Sequence, residues 1–317
     1  MVSACCRRIL IAIAIGLAVS PARAREAVAL TFDDLPALTI LNSQAYVTYT
    51  NVMLLRGLKR HHLPAIGFVN EGKFDELDRS AQIGILRLWL KAGMLLGNHT
   101  FSHESPNTLS PEAYIADIAN GEKVTRPMLR RHRLALRWFR HPYLETGFPE
   151  AAREEIDQWL AARGYRVAPV TMETSDWLFA EPYDDALARH DSARAVRIRQ
   201  SYLAYTANMI AWYREAAHQL LGRDMAYVML LHDTRLNADC IDALANILRR
   251  AGLRPVKLDK AMRDPAYRLA DHYAGRDGID WLERWSLELH KDLPWNEYTD
   301  PPADIQAQYA KVDNDNQ

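Results

Sequence analysis

The sequence predicts an α/β fold in which parallel strands are joined by helical crossovers. Three observations predict it. Short apolar runs alternate with amphipathic, helix-like segments along most of the chain. Chemically loaded residues fall repeatedly just after those runs, where the loops of a β/α barrel build their sites. The 317 residues, 49% hydrophobic and 25% charged, suffice for a substantial buried core.

The strand candidates are residues 27–32, ending at an aspartate pair, 65–69, and 94–97 just before a histidine pair, then 138–140, 165–170 and 227–231. Each is short, apolar and bounded by polar or turn residues. Residues 43–61 have helical periodicity and open on Ser43 as a cap. Ser110-Pro111-Glu112 opens another helix, with serine at the N-cap and proline at the first helical position. Residues 149–163 are closed by Gly164 and residues 239–251 by Gly252, both placed as helix C-terminal glycines. Residues 184–221, charged on one face, read as one long helix or as a loop followed by a helix. Beyond about Lys260 the chain changes character, with Asp264-Pro265, Trp281, Trp285, Trp295 and Pro301-Pro302. Residues 263–317 are expected to be an appended helical segment, its tryptophans packing helices, with a polar tail from about Ala303.

At the N-terminus, Arg7-Arg8 precede an apolar run over residues 9–19 and then Ala22-Arg23-Ala24. A positive region, a short apolar region and small residues at the cleavage site describe a secretory signal peptide over residues 1–24. The mature chain then begins near Arg25 and is exported, to the periplasm or beyond. An uncleaved anchor is the competing reading, against which the run is short for a bilayer. Cys5 and Cys6 fall in that segment, leaving Cys240 alone, a small buried hydrophobe with no intramolecular disulfide to make. A net charge of −1 without a basic cluster argues against nucleic acid or an anionic membrane surface as partner.

Five short motifs carry the chemistry: Thr31-Phe32-Asp33-Asp34, His99-Thr100-Phe101-Ser102-His103, Arg140-His141-Pro142-Tyr143, Ser175-Asp176-Trp177 and Leu230-Leu231-His232-Asp233. The spacing of His99 and His103 puts two imidazoles on one side of a helical turn, close enough to share a metal ion. Asn98 and Thr100 beside them place the pair where a strand opens into a helix. In extended chain the neighbouring Asp33 and Asp34 point in opposite directions, so one carboxylate can ligate while the other stands off. Two histidines and one carboxylate leave positions for water and substrate, the arrangement of a catalytic ion. Singly, each motif has an ordinary reading: a turn or cap for the aspartates, surface histidines, a core Trp177, a hydrogen-bonded His232 at a strand end. All five at once are hard to obtain by coincidence.

Together and in this order, the motifs resemble the polysaccharide deacetylases (the NodB homology domain, carbohydrate esterase family 4), over a domain taken as residues 25–262. The resemblance implies a distorted (β/α) barrel that hydrolyses N- or O-acetyl groups on carbohydrate with a divalent metal, usually zinc, with cobalt or another divalent ion as alternatives. It implies Asp34, His99 and His103 as metal ligands and Asp33 as general base, paired with Arg140. The backbone N–H of Tyr143 would help hold the oxyanion. His232 would be the general acid, oriented by Asp176, and Trp177 and Leu230 would wall the pocket for the acetyl methyl, beside Tyr143. Two positions depart from the pattern. Leu35-Pro36 stands where Gly-Pro is usual, and Glu173 where aspartate is common, so the rim of the site is expected to differ. The expected substrate is an acetylated, N-acetylglucosamine-containing glycan, chitin-like or peptidoglycan. An O-acetyl ester on xylan or a related glycan is the second reading, and a metal-bearing glycan binder without turnover is the third. Of the other histidines, His61 and His62 close a helix. His132, His190, His218, His272 and His290 lack a partner at ligand spacing, and His141 takes no assigned role.

Overall fold

The computed structural model describes residues 26–313; the signal-peptide reading of residues 1–24 lies outside them. The chain opens with β1 (Ala27–Leu35), buried along nearly its whole length, as a parallel strand covered on both faces should be. Ser43 accepts a hydrogen bond from the Tyr46 N–H and starts α1 (Gln44–Arg60). There follow β2 (Ala65–Val69), a 3-10 turn (Glu71–Asp75), α2 (Arg79–Lys91) and β3 (Leu95–Asn98). Next come α3 (Pro111–Asn120), α4 (Thr125–Arg131), β4 (Trp138–Phe139) and α5 (Glu150–Arg163), which Gly164 ends in the left-handed region at φ 84°. The remainder is β5 (Arg166–Val167), α6 (Asp176–Ala188), α7 (Ser192–Leu221), β6 (Tyr227–His232), α8 (Arg235–Arg250), β7 (Arg254–Pro255), α9 (Leu258–Ala261), α10 (Trp281–Leu289) and α11 (Ala303–Val312).

The strands form a parallel sheet in the order β5-β4-β3-β2-β1-β6, with β7 pairing the start of β1. Helices cover the outside, which is the expected α/β class. The two ends of the sheet meet through a narrow seam. Just after β5, the chain crosses to β6, where Thr171 N donates to Val228 O at 3.0 Å and Leu230 N to Met172 O at 2.9 Å. A seam made by one bridge is what distorts the barrel. The register also matters for chemistry, because Asp33 of β1 lies directly beside His232 of β6. Asn98 at the end of β3 pairs with Phe139 of β4, so His99 and Arg140 leave the sheet side by side.

Several expected boundaries are corrected. The strand expected over 165–170 pairs only at Arg166–Val167, because the next residues peel away to make the seam. The strand expected over 94–97 is displaced by one residue, and that over 138–140 loses Arg140. Residues 27–32 and 227–231 lengthen to Leu35 and His232. The helix expected from Asp239 starts at Arg235, since Thr234 caps it through the Asn237 N–H. Residues 184–221 divide between α6 and α7, where the Asp191 side chain caps a new helix by accepting from Arg194 N.

The segment after α9 packs on the rest of the molecule, as expected of an appended segment. Trp281 and Trp285 of α10 are buried, and Trp285 meets the Tyr267 ring edge-on. The polar tail expected from Ala303 is instead α11, which buries Ile305 and Tyr309 one helical turn apart against α6. Trp295 departs from the packing expectation, being 46% exposed while leaning on Trp212. Cys240 is buried, and no described helix is long and apolar enough to cross a membrane.

Candidate active site

The two aspartates sit in a β-bulge. The β1–β2 register shifts between Phe32 and Leu35, and Asp34 takes a left-handed backbone at φ 66°. Simple alternation therefore fails here: a bulge re-aims its side chains, and both carboxylates face one cavity. Aspartate is among the side chains that tolerate this backbone region.

The two histidines are not on a helical turn either. They belong to a loop after β3 whose Thr100 and His103 have φ of 68° and 64°. Local side-chain bonds outcompete a helix there. Asn98 Oδ1 accepts from Thr100 N at 2.8 Å, Thr100 Oγ1 from His103 N at 3.0 Å, and Asp117 Oδ2 from the N–H groups of Phe101 and Ser102. The loop lies on Gly121 at the end of α3, where an added Cβ would stand 2.5 Å from the Thr100 carbonyl. Gly121→Ala is thus expected to displace the loop and weaken Zn2+ binding about 10–100-fold, as loss of an outer support commonly does. Calorimetric titration with Zn2+ checks this, and unchanged affinity would show that α3 does not hold the histidines.

Donor atoms of Asp34, His99 and His103 all lie within 4.8 Å of one another. His103 Nε2 is 3.5 Å from Asp34 Oδ1. Ligands on a tetrahedral zinc, each about 2.0–2.1 Å from it, stand about 3.4 Å apart, so the His103–Asp34 spacing fits. Asp34 Oδ1 is buried and accepts no hydrogen bond, which also fits an ion-binding atom. The His99 Nδ1–H donates to the Arg140 carbonyl at 2.8 Å, leaving Nε2 bare for the site, and His103 Nδ1 lies 3.2 Å from the Tyr143 hydroxyl. Burial holds His99 down to about 4 and His103 to about 3, so both are neutral donors at neutral pH. Burial would neutralise Asp34, but Lys73 at 3.4 Å and His103 outweigh it and keep the carboxyl well below the usual range.

Asp33 lies beside this group, its Oδ2 3.7 Å from His99 Nε2, and accepts its hydrogen bond from Arg140, with Nη1 3.1 Å from Oδ2. Arg140 is wholly buried and its other donors are used: Nε on Ala168 O at 2.8 Å and Nη2 on Thr31 Oγ1 at 3.1 Å, over the Phe68 ring. The guanidinium is fixed in direction. Burial pushes Asp33 up to about 6 despite Arg140. On the neighbouring strand β6, His232 donates through Nδ1 at 2.8 Å and through its backbone N at 2.7 Å to Asp176 at the start of α6, which also accepts from Asn237 Nδ2. Burial would strip the imidazole of its proton, yet Asp176 prevails and pushes His232 up to about 9.

A cavity of about 310 Å³ gathers Asp33, Asp34, His99, His103, Tyr143, Trp177, Leu230 and His232. Arg140 and Asp176 stand behind its wall, acting through Asp33 and His232. Leu230 joins Leu144 and Val170 in a small apolar cluster apart from the main core. Trp177 is braced edge-on by Tyr309 of α11. His141 and Glu173, neither assigned a role from sequence, also line the cavity. Burial, with Asp280 and Asp176 nearby, pushes Glu173 up to about 7. Sequence reasoning missed Lys73, Leu144 and Gly278. For Lys73 a signal existed, since it follows the end of β2 on the side where the other loops build the site. Gly278 carried none.

A family model described as polysaccharide deacetylase matches residues 21–167. A chitin deacetylase of Colletotrichum lindemuthianum is 30% identical over 150 residues, covering 47% of this chain. The chain spans about half the length of that relative, 52%. Among solved structures, a family 4 carbohydrate esterase from Streptomyces lividans, in complex with acetate, superposes with a TM-score of 0.50 at 18% identity, over 75% of this chain and 96% of that one. A CE4 family pseudoenzyme from Bacillus anthracis gives 0.50 at 17% identity, over 77% and 66%. At such identities these two likenesses are of fold.

Proposed function

We propose that this chain, whose residues 21–167 match the polysaccharide deacetylase model, is an exported, divalent-metal-dependent hydrolase removing acetyl groups from an N-acetylglucosamine-containing polysaccharide. One observation carries the reading: a carboxylate held by Arg140 and an imidazole held by Asp176 lie on adjacent strands beside the Asp34–His99–His103 cluster. A pseudoenzyme can share the fold, but a binding protein has no use for two separately tuned proton-transfer groups.

Zinc or a similar ion held by Asp34, His99 and His103 would supply Lewis acidity and make bound water easier to deprotonate. Asp33 takes the proton of the attacking water, and Arg140 fixes its orientation and favours its charged form. The Tyr143 backbone N–H helps stabilise the oxyanion that develops on the acetyl carbonyl. Leu144 and Leu230, backed by Val170, give the methyl an apolar seat beside Trp177. His232 gives its proton to the departing sugar atom, and Asp176 keeps that proton in place. An acid pushed up to about 9 suits a departing amine, which favours the N-acetyl substrate over an O-acetyl ester.

Acetate release from tetra-N-acetylchitotetraose, lost with a chelator and restored by Zn2+, tests the function. Binding of the oligosaccharide by Zn2+-loaded protein with no acetate released would replace it with the binder reading. The acid's role has its own test. Removing the Asp176 charge destabilises the imidazolium, so its proton is lost at lower pH. Asp176→Asn is expected to move the alkaline limb of kcat/KM from about 9 toward the ordinary histidine value of about 6.5, lowering activity at pH 8 about 30-fold. A limb that stays in place means that His232 is not the acid.

A further inference from the structure

We propose that the segment after α9 is a working part of the active site, a clamp on the turn at Tyr143 and Leu144, with Arg284 as its positioning residue. This rests on the reading of the Tyr143 N–H as an oxyanion donor. Tyr143 and Leu144 are consecutive non-glycine residues in the left-handed region, at φ 55° and 58°. Such a conformation is strained for a side-chain-bearing residue and persists only where its surroundings over-determine it.

The surroundings come from the C-terminal segment. Arg284 of α10 is fully buried, and its Nη2 donates to Leu144 O at 2.7 Å. Its Nη1 reaches Thr146 Oγ1 at 3.1 Å, and its Nε reaches Ile279 O at 3.0 Å. Asp271 stands 3.4 Å from Nη1 and supplies the countercharge, while Trp281 and Tyr273 flank the guanidinium at 4.4 and 4.9 Å from their ring centres. Arg284 thus spends its fork on main-chain and neighbouring polar atoms of the turn, and it is not among the residues lining the cavity. A guanidinium in this role orients structure.

Gly278 presses on the same turn from the cavity side. A Cβ there would meet the Tyr143 carbonyl oxygen at 1.6 Å, so only glycine lets the two backbones approach. A third tie links the clamp to the histidine loop. Asn107 Nδ2 donates both to Glu145 Oε2 at 3.0 Å and to Arg276 O at 2.7 Å, and Ser105 Oγ also donates to Glu145. The loop after β3, the turn after β4 and the C-terminal segment are therefore one hydrogen-bonded unit. An oxyanion donor works only when aimed within a fraction of an ångström, and a 1 Å misplacement costs about 100-fold.

Two variants test the clamp. Arg284→Lys keeps the charge beside Asp271 and loses the planar fork; Gly278→Ala alters an exposed loop and removes nothing from the core. On tetra-N-acetylchitotetraose each is expected to lower kcat about 10–100-fold with KM within about threefold, and hydrogen exchange of residues 142–146 should quicken. A lower melting temperature with kcat per folded molecule and exchange unchanged would overturn the proposal, leaving Arg284 a mere support of the fold. Should Arg284→Lys fail to fold, Gly278→Ala decides on the same measurements. A wild-type chain that releases no acetate defeats the deacetylase reading. The catalytic part of the proposal falls with it, and the exchange measurement decides only whether the segment holds the turn: faster exchange sustains that hold and unchanged exchange ends it.

Discussion

Asp33→Asn is expected to lower acetate release about 10²–10⁴-fold, the usual contribution of a positioned general base. Asparagine has nearly the shape of aspartate but cannot take a proton from water. The change is also structurally mild. Arg140 keeps its bonds to Ala168 O and Thr31 Oγ1, and the asparagine oxygen can still accept from Nη1. Breaking a buried ion pair outright costs about 3–5 kcal/mol, and retention of that bond makes this an upper limit here. Asp34, His99 and His103 are untouched, so Zn2+ binding should persist. Three measurements belong together: kcat, thermal unfolding, and Zn2+ stoichiometry by dialysis. A folded, Zn2+-loaded Asp33→Asn within about threefold of wild-type turnover would sink the assignment of the base.

His99→Ala is expected to abolish turnover by another route, through the ion. Loss of an outer partner of a metal site already costs 10–100-fold in affinity, so loss of a ligand should weaken Zn2+ binding by more than about 100-fold. The wild-type chain should be stabilised by the ion, by about 2.7 kcal/mol at a free concentration one hundred times Kd. The corresponding rise in melting temperature should vanish in His99→Ala. The substitution also removes a buried ring that donates to the Arg140 carbonyl, so the melting temperature measured without Zn2+ is the baseline for each protein. An unaltered Zn2+-dependent rise in melting temperature would mean that the ion binds elsewhere. The two substitutions are complementary: one removes chemistry and keeps the ion, the other removes the ion and keeps the carboxylate.

Much of this was legible in the chain. Strand–helix alternation foretold the parallel sheet, and local chemistry foretold helix ends: Ser43 and Ser110-Pro111 open helices and Gly164 closes one. Those are short-range effects, decided by a side chain and the backbone within a turn of it. The motifs named the residues that meet in the cavity, because chemistry restricts which side chains can ligate an ion or move a proton. How those residues meet was not legible. Alternation sends Asp33 and Asp34 to opposite faces, and a helical reading aligns His99 with His103; a bulge and a left-handed loop deliver both pairs instead. Both devices depend on β2, on Asn98 and Asp117, and on the space left by Gly121.

The amino-acid order by itself therefore determined the class of fold, the helix caps and the inventory of reactive groups, since each rests on periodicity or intrinsic side-chain chemistry. Only the tertiary structure decided that β5 is cut short to close the barrel, that Lys73 stands beside Asp34, and that Arg284 and Gly278 lie on the Tyr143–Leu144 turn. Those outcomes are contacts between residues up to about 140 positions apart. Their energy depends on packing and on main-chain atoms that any sequence possesses, so no local pattern announces them.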